Sequence, residues 1–491
     1  MPSEPHATEV ALLAAGSLLV LSVVASRFAR RAGIPVVLLF LALGMLAGAE
    51  GLGGIRFDDY ALSFRVGTLA LVLILFDGGL RTPPEVLRRA LGPAAVLATA
   101  GVALTAAIVA LGARTLGFPW TQGWLLGAIV SSTDAATVFS VLRGGGVHLK
   151  ESVQSVVEVE SGLNDPMAVI LTLALTASLA EGRPLRVPPL LVGIAGELAI
   201  GAAVGAALGA CARFLLAHVR LRAGGLYPVL TVGLALVAFG VASLLRGSGF
   251  LAVYIAAFVV GSGHPPSRLA LLRVHDFVAW GSQIGMFLVL GLLVAPSRLV
   301  AVAPAGLALA LLLAFVARPA AVAVCLLPFG FAAREMLLVG WAGLRGAVPI
   351  VLALIPVLAR AEGADTIFDV VFFVVLLSVV LQGGTARWLT RRLGLGTEEP
   401  VVPAALLDIE STRPLDVELI TFYVAPASAV CGARVADIPF PERSSAMLVV
   451  RGDDLLAPKG DTVLREGDHV FVFCPREDVA LVRLLFGREA D

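Results

Sequence analysis

The sequence predicts an all-α polytopic membrane protein of about thirteen transmembrane helices, followed by a small soluble α+β domain. Three observations carry this reading. Of the 491 residues, 58% are hydrophobic and only 15% charged, whereas a soluble domain is nearer half apolar and a quarter charged. Charge-poor apolar runs of about 20 residues, each long enough to cross a bilayer as a helix, recur as far as residue 394. The text then turns polar and proline-bearing in "GLGTEEPVVPAALLDIESTRP" and afterwards strand-like.

The candidate spans are 8–28, 33–49, 61–80, 89–112, 119–141, 151–179, 187–217, 226–246, 250–262, 272–294, 300–327, 334–359 and 366–392. The opening "MPSEPHATEV" has no basic n-region, so the first run reads as a retained helix and not a cleaved signal. Arginines cluster in alternate loops: Arg27, Arg30 and Arg31; Arg81, Arg88 and Arg89; Arg213, Arg220 and Arg222; Arg387, Arg391 and Arg392. Basic loops stay cytoplasmic, which puts the N-terminus outside and the C-terminus inside. Residues 1–394 form the membrane domain, 395–414 a linker and 415–491 the soluble domain. In the last, "VELITFYVA" reads as a strand, "AMLVVRGDDLLAP" as two strands around a Gly-Asp turn, "GDTVLREGDHVFVFCP" as a further strand and "EDVALVRLLFG" as a helix. A core this small is marginal alone, so pairing with a second copy is expected.

Composition also excludes. The 36 basic and 36 acidic residues balance, and no basic tract points to nucleic acid. The four cysteines are scattered without metal-ligand spacing. No HExxH or GxSxG motif supplies an enzyme's chemistry, and no repeated pore loop supports the alternative of a regulated cation channel. The six histidines show no ligand spacing, and His264 and His275 fall in what reads as a basic cytoplasmic loop.

Two spans share a peculiarity. "WLLGAIVSSTDAATVFSVL" and "WAGLRGAVPIVLALIP" each place a charge among residues that weaken a helix. Two interrupted helices in corresponding halves point to inverted repeats with crossed, broken helices and a binding site between them.

An ionisable group at mid-bilayer costs about 2.5–3.5 kcal/mol on insertion scales, so each one requires a partner, a water-filled cavity or a function. The candidates are Asp77 in "LFDGGL", Asp134, Glu160, Asp165, Glu197, Arg318 and Arg345. The stretch "VEVESGLNDPMAVIL" is richest. Ser161 and Asp165, four residues apart, share one helical face, and Glu160 and Asn164 form the neighbouring stripe. Pro166 lacks an amide proton and crowds the carbonyl of Gly162, which predicts an oxygen-rich break suited to protons or hard cations. The alternative is a polar network that only joins helices. A buried Arg345 demands a carboxylate, and Glu160 is the expected partner in a structural ion pair. Glu197 and Arg318 have no motif around them and read as helix–helix or interfacial contacts.

"STDAATVFSVL", "VEVESGLNDPMAV" and "GLRGAVPI", in that order, resemble the NhaP-type monovalent cation:proton antiporters, over about residues 8–394. The C-terminal segment resembles the TrkA C-terminal regulatory domain. The resemblance implies that Asp165 alternately holds a cation and a proton, and that Asn164 marks electroneutral exchange. It implies further oxygens from Asp134, Thr133 and Ser161. Asp77 is a further candidate ligand. It implies a homodimer in the bacterial inner membrane whose core part moves against a dimerisation part. The substrate is potassium or sodium, with the TrkA-like tail favouring potassium. No cofactor is expected. No dinucleotide fingerprint follows a strand in the tail, so a small ligand or ion is the expected regulator there.

Overall fold

The computed structural model describes residues 4–32, 35–143, 147–182, 187–219, 225–263, 268–397, 417–426, 428–452 and 454–487. His264 and most of the expected linker lie outside the described residues. The chain divides into two compact units, Met1–Thr397 and Glu398–Asp491.

The first unit is helical. In order it contains α1 (Glu4–Ala32), α2 (Val36–Ala47), α3 (Tyr60–Arg81), α4 (Pro84–Val96), α5 (Val102–Thr115), α6 (Trp120–Ser131) and α7 (Ala135–Arg143). It continues with α8 (Glu151–Glu181), α9 (Val187–His218), α10 (Leu226–Leu244), α11 (Gly249–Gly261) and α12 (Arg268–Leu292). It ends with α13 (Pro296–Leu312), α14 (Arg318–Leu326), α15 (Ala333–Trp341), α16 (Ala347–Leu358), α17 (Ala364–Ser378) and α18 (Gly384–Arg392). Leu, Val and Ala dominate these segments, and caps begin them where the sequence allows: Asp59 accepts from the amide of Leu62 at 2.8 Å to start α3. Proline opens α4 and α13 at the first helical position, where no amide is missed.

The expected spans fall mainly on helix among the described residues, with 132–134 and 342–346 outside helix in two of them. Among the described residues, however, eight helices are long and apolar enough to cross a membrane, or nine if α6 and α7 are one span bent by 45°. The helices α2, α11 and α16 are apolar but shorter, so a count of thirteen full spans is not established. Single π-helical turns at Leu97–Gly101, Leu313–Ala317 and Val379–Gly383 join α4 to α5, α13 to α14 and α17 to α18. Such turns rotate the helix that follows and are frequent at functional sites. Arg318 follows one directly and Ser378 precedes another.

The start of α8 is fixed twice. A two-residue antiparallel ladder pairs β1 (His148–Leu149) with β2 (Gly396–Thr397), and the Lys150 amide donates to Leu395 O at 3.0 Å. The Lys150 ammonium bonds Glu335 Oε1 at 2.7 Å, tying α8 to the beginning of α15.

The second unit carries β3 (Val417–Tyr423), β4 (Ser445–Arg451), β5 (Asp454–Leu456), β6 (His469–Pro475) and α19 (Val479–Phe486). The sheet is antiparallel in the order β3-β6-β4-β5, with Phe422 stacked on Phe486 at 5.0 Å to hold the helix against it.

Candidate functional site

The site is built by two interruptions that cross. The chain leaves α6 at Ser132, which has extended backbone, and resumes a helix at Ala135. It leaves α15 at Trp341 and resumes at Ala347. The two breaks touch: the Asp134 amide donates to Leu344 O at 2.8 Å, and Arg345 Nε donates to Val130 O at 2.8 Å. Arg345 also bonds the carbonyl of Gly343 through Nη1, and its amide donates to Ser378 Oγ at 3.2 Å.

Helix-end electrostatics explain why an acid stands at one break and a base at the other. Helix N-termini carry partial positive charge and C-termini partial negative charge. Asp134 caps α7: its Oδ1 accepts from the Thr137 amide at 3.0 Å and its Oδ2 from Thr137 Oγ1 at 2.7 Å. It also lies against the start of α16, since a Cβ on Gly346 would collide with Asp134 Oδ2. Arg345 meets the last carbonyls of α6 and the chain just past α15. Glycine is needed at 343 as well: a Cβ there would come within 2.6 Å of Arg318 Nε and 2.9 Å of Arg345 Nη1.

The helix α8 stabilises the first break from the side. Ser161 Oγ donates to Thr133 O at 2.9 Å and accepts from the Ala135 amide at 3.2 Å. Asn164 Nδ2 donates to Thr133 Oγ1 at 2.6 Å. Ser132 Oγ donates to Asp165 Oδ1 at 2.6 Å. Thr133, Ser161, Asn164 and Asp165 thus lie together with Asp134 at the crossing. Ser132 also belongs to the group, although in the sequence it is one of three hydroxyl residues that weaken the helix before Asp134. Two adjacent hydroxyls before an intramembrane Asp were the available signal.

Three expectations are corrected. Glu160 does not pair with Arg345. It forms a two-pronged ion pair with Arg318, with Nη1–Oε1 and Nη2–Oε2 both at 2.6 Å and both residues buried. Arg345 has no carboxylate in direct contact: its Nε and Nη1 donate to carbonyls at helix ends, and its buried Nη2 has no hydrogen-bond partner among the described residues. Pro166 does not break α8, which runs unbroken from Glu151 to Glu181. His275 is not in a solvated loop but fully buried in α12, 2.8 Å from Thr231 Oγ1. Asp77, for its part, is held by Arg81 one turn on, at 2.9 Å from both oxygens, and Arg81 reaches Asp276 at 3.3 Å. No hydrogen bond among the described residues joins it to the crossing. Nor do the described residues hold a cluster of three or more His, Cys, Asp or Glu with metal-binding geometry.

A polytopic helical unit, with two half-helix pairs crossing around buried acids, defines a secondary transporter. Residues 17–392 match the transmembrane sodium/hydrogen exchanger family, and the chain belongs to that family. Residues 419–487 match the TrkA-C domain. The chain is 42% identical to the K(+)/H(+) antiporter NhaP of Alkalimonas amylolytica, over 96% of this chain and 83% of that one. It is 39% identical to the K(+)/H(+) antiporter NhaP2 of Shewanella baltica, over 96% and 82%. The solved structure of the sodium proton antiporter MjNhaP1 from Methanocaldococcus jannaschii at pH 8 superimposes with a TM-score of 0.69 at 24% identity, covering 79% of this chain and 99% of that one. That likeness shows a shared fold. The protein is a multi-pass membrane antiporter of monovalent cations and protons.

Proposed function

We propose that the chain exchanges one potassium ion for one proton across the inner membrane, with Asp165 as the carboxylate that the two ligands share. The supporting observation is the division of the buried acids. Glu160 is neutralised by Arg318. Both oxygens of Asp134 are engaged by Thr137 at the start of α7. Asp165 has no cationic partner among the described ion pairs and bonds a single hydroxyl. It is therefore the acid free to alternate between cation and proton. Ionised, it attracts a cation. Protonated, it is neutral and crosses a low-dielectric barrier without one. Because the bare ionised carboxylate is not stable in the membrane, the two ligands replace each other and exchange is coupled.

Hard alkali cations take oxygen ligands. The oxygens beside Asp165 are those of Thr133, Ser161 and Asn164, and the Asn164 side-chain oxygen has no hydrogen-bond partner among the described residues. In this reading Asp134 neutralises helix ends and is not a second proton carrier, so one carboxylate exchanges one charge for one and transport is electroneutral. Potassium is favoured over sodium by the names of the relatives at 42% and 39% identity and by the TrkA-C tail. The protein acts as a transporter and not an enzyme. We read it as a homodimer with its N-terminus outside, and with a cytoplasmic tail domain that regulates exchange through a small ligand or ion.

Proteoliposomes carrying the purified protein test the reading. An imposed potassium gradient is expected to drive opposite proton movement, more strongly than sodium does, at a rate unchanged when the membrane potential is clamped. Exchange that follows the imposed voltage overturns the one-for-one assignment. Exchange with sodium alone overturns the choice of cation.

A further inference from the structure

We propose that Ser132 is a positioning residue that sets the balance between proton and cation at Asp165. The inference rests on Asp165 as the shared carboxylate. Ser132 lies at the first residue of the break, where extended backbone carries its side chain across to α8. It is 0% exposed, and its Oγ donates to Asp165 Oδ1 at 2.6 Å.

A hydroxyl both donates and accepts. Facing ionised Asp165, Ser132 donates its proton. Facing protonated Asp165, it accepts a hydrogen bond from the acid's O–H, so the contact persists while its polarity reverses. The two states differ in strength, because a hydrogen bond to an ionised acceptor is roughly twice as strong as a neutral one. Ser132 therefore favours the ionised carboxylate, which is the form that holds a cation. The other charges near Asp165 do not substitute for it. Arg318 is paired with Glu160, and Arg345 gives its Nε and Nη1 to the carbonyls of Val130 and Gly343. Asn164 and Ser161 aim their donors at Thr133.

The neighbouring serine is an internal control. Ser131 Oγ donates to Ala128 O at 2.7 Å, back into its own helix. It is as buried as Ser132 but takes no part in the crossing.

The test compares potassium/proton exchange in proteoliposomes across pH for the wild type and for Ser132→Ala, Ser132→Thr, Ser132→Cys and Ser131→Ala, with Asp165→Asn alongside. For Ser132→Ala, the pH of half-maximal exchange is expected to move upward by about one unit and the apparent KM for potassium at fixed pH to rise about tenfold. Ser132→Thr retains the hydroxyl and is expected to restore the wild-type profile. Ser132→Cys, nearly the same shape with a weaker donor, is expected to shift the profile in the same direction by less. It decides the question if Ser132→Ala inserts poorly. An unshifted profile from a well-inserted Ser132→Ala or Ser132→Cys overturns the proposal, as does an equal shift from Ser131→Ala. Loss of exchange in Asp165→Asn together with an unshifted Ser132→Ala removes only the role of Ser132. Persisting exchange in Asp165→Asn removes the carrier reading beneath it.

Discussion

Two stretches that meet at the site both carry residues that weaken a helix, and only one of them breaks. The helix α8 contains a proline and a run of polar residues, yet continues for 31 residues. The α6–α7 segment contains no proline after Pro119 and bends by 45°. The difference lies in where the backbone's hydrogen bonds go. An interrupted helix strands amide and carbonyl groups that lipid cannot satisfy. At 132–134 those groups find partners from other elements: Leu344 O for the Asp134 amide, Ser161 for the Thr133 carbonyl and the Ala135 amide, and Asp134 itself for Thr137. Proline removes one amide and crowds one carbonyl, a defect small enough for the turns on either side of Pro166 to carry. A helix in a membrane breaks where something else can complete it.

The largest expected effect tests the functional half of this comparison. Asp165→Asn is expected to abolish cation/proton exchange while the protein still inserts and retains its helical circular dichroism. Rates close to wild type from a well-inserted variant would sink the carrier role. The next effect concerns what holds α8 to α14. Arg318→Ala and Glu160→Ala each leave a buried charge unpaired, and each is expected to lose about 3–5 kcal/mol of stability. The double variant should lose clearly less than the sum. Strictly additive losses in thermal unfolding for Glu160 with Arg318, or stronger coupling of Glu160 to Arg345, would show the pairing to be wrong.

A smaller effect probes the crossing. Gly346→Ala places a methyl group against Asp134 Oδ2. Overpacking of this kind typically costs about 1–3 kcal/mol, and here it should come with slowed exchange because the two breaks must separate to admit it. A variant with both stability and exchange unchanged would mean that the breaks are looser than described. The smallest effect is expected from Pro166→Ala. Since α8 is already continuous, helical content should not rise, and the helix should keep its position relative to Thr133. A clear gain in helical signal would show that the proline does interrupt α8 in the membrane.

Much of the site was legible in order but not in connection. The motifs around Asp134, Asn164–Asp165 and Arg345 are found together at the crossing. The identity of Glu160's partner was not legible, because nothing near Arg318 marks it and its carboxylate lies 158 residues away in the chain. The role of Ser132 was hidden for a related reason. Ser131 and Ser132 look equivalent in the sequence, yet one bonds its own helix and the other bonds Asp165. Only the helix end between them separates their roles.

By itself, the sequence determined the solvent this protein lives in, the strands and helix of the C-terminal unit, and the residue types at the site. Each of these follows from local composition or from a period of a few residues: apolar runs for the membrane unit, β-branched strands and an apolar helix for the tail. The tertiary structure decided that α8 is not interrupted at Pro166, which arginine neutralises Glu160 and which hydroxyl reaches Asp165. Those choices depend on partners brought together from distant segments, and a buried charge or a stranded amide is stabilised by whichever group packing places within about 3 Å of it.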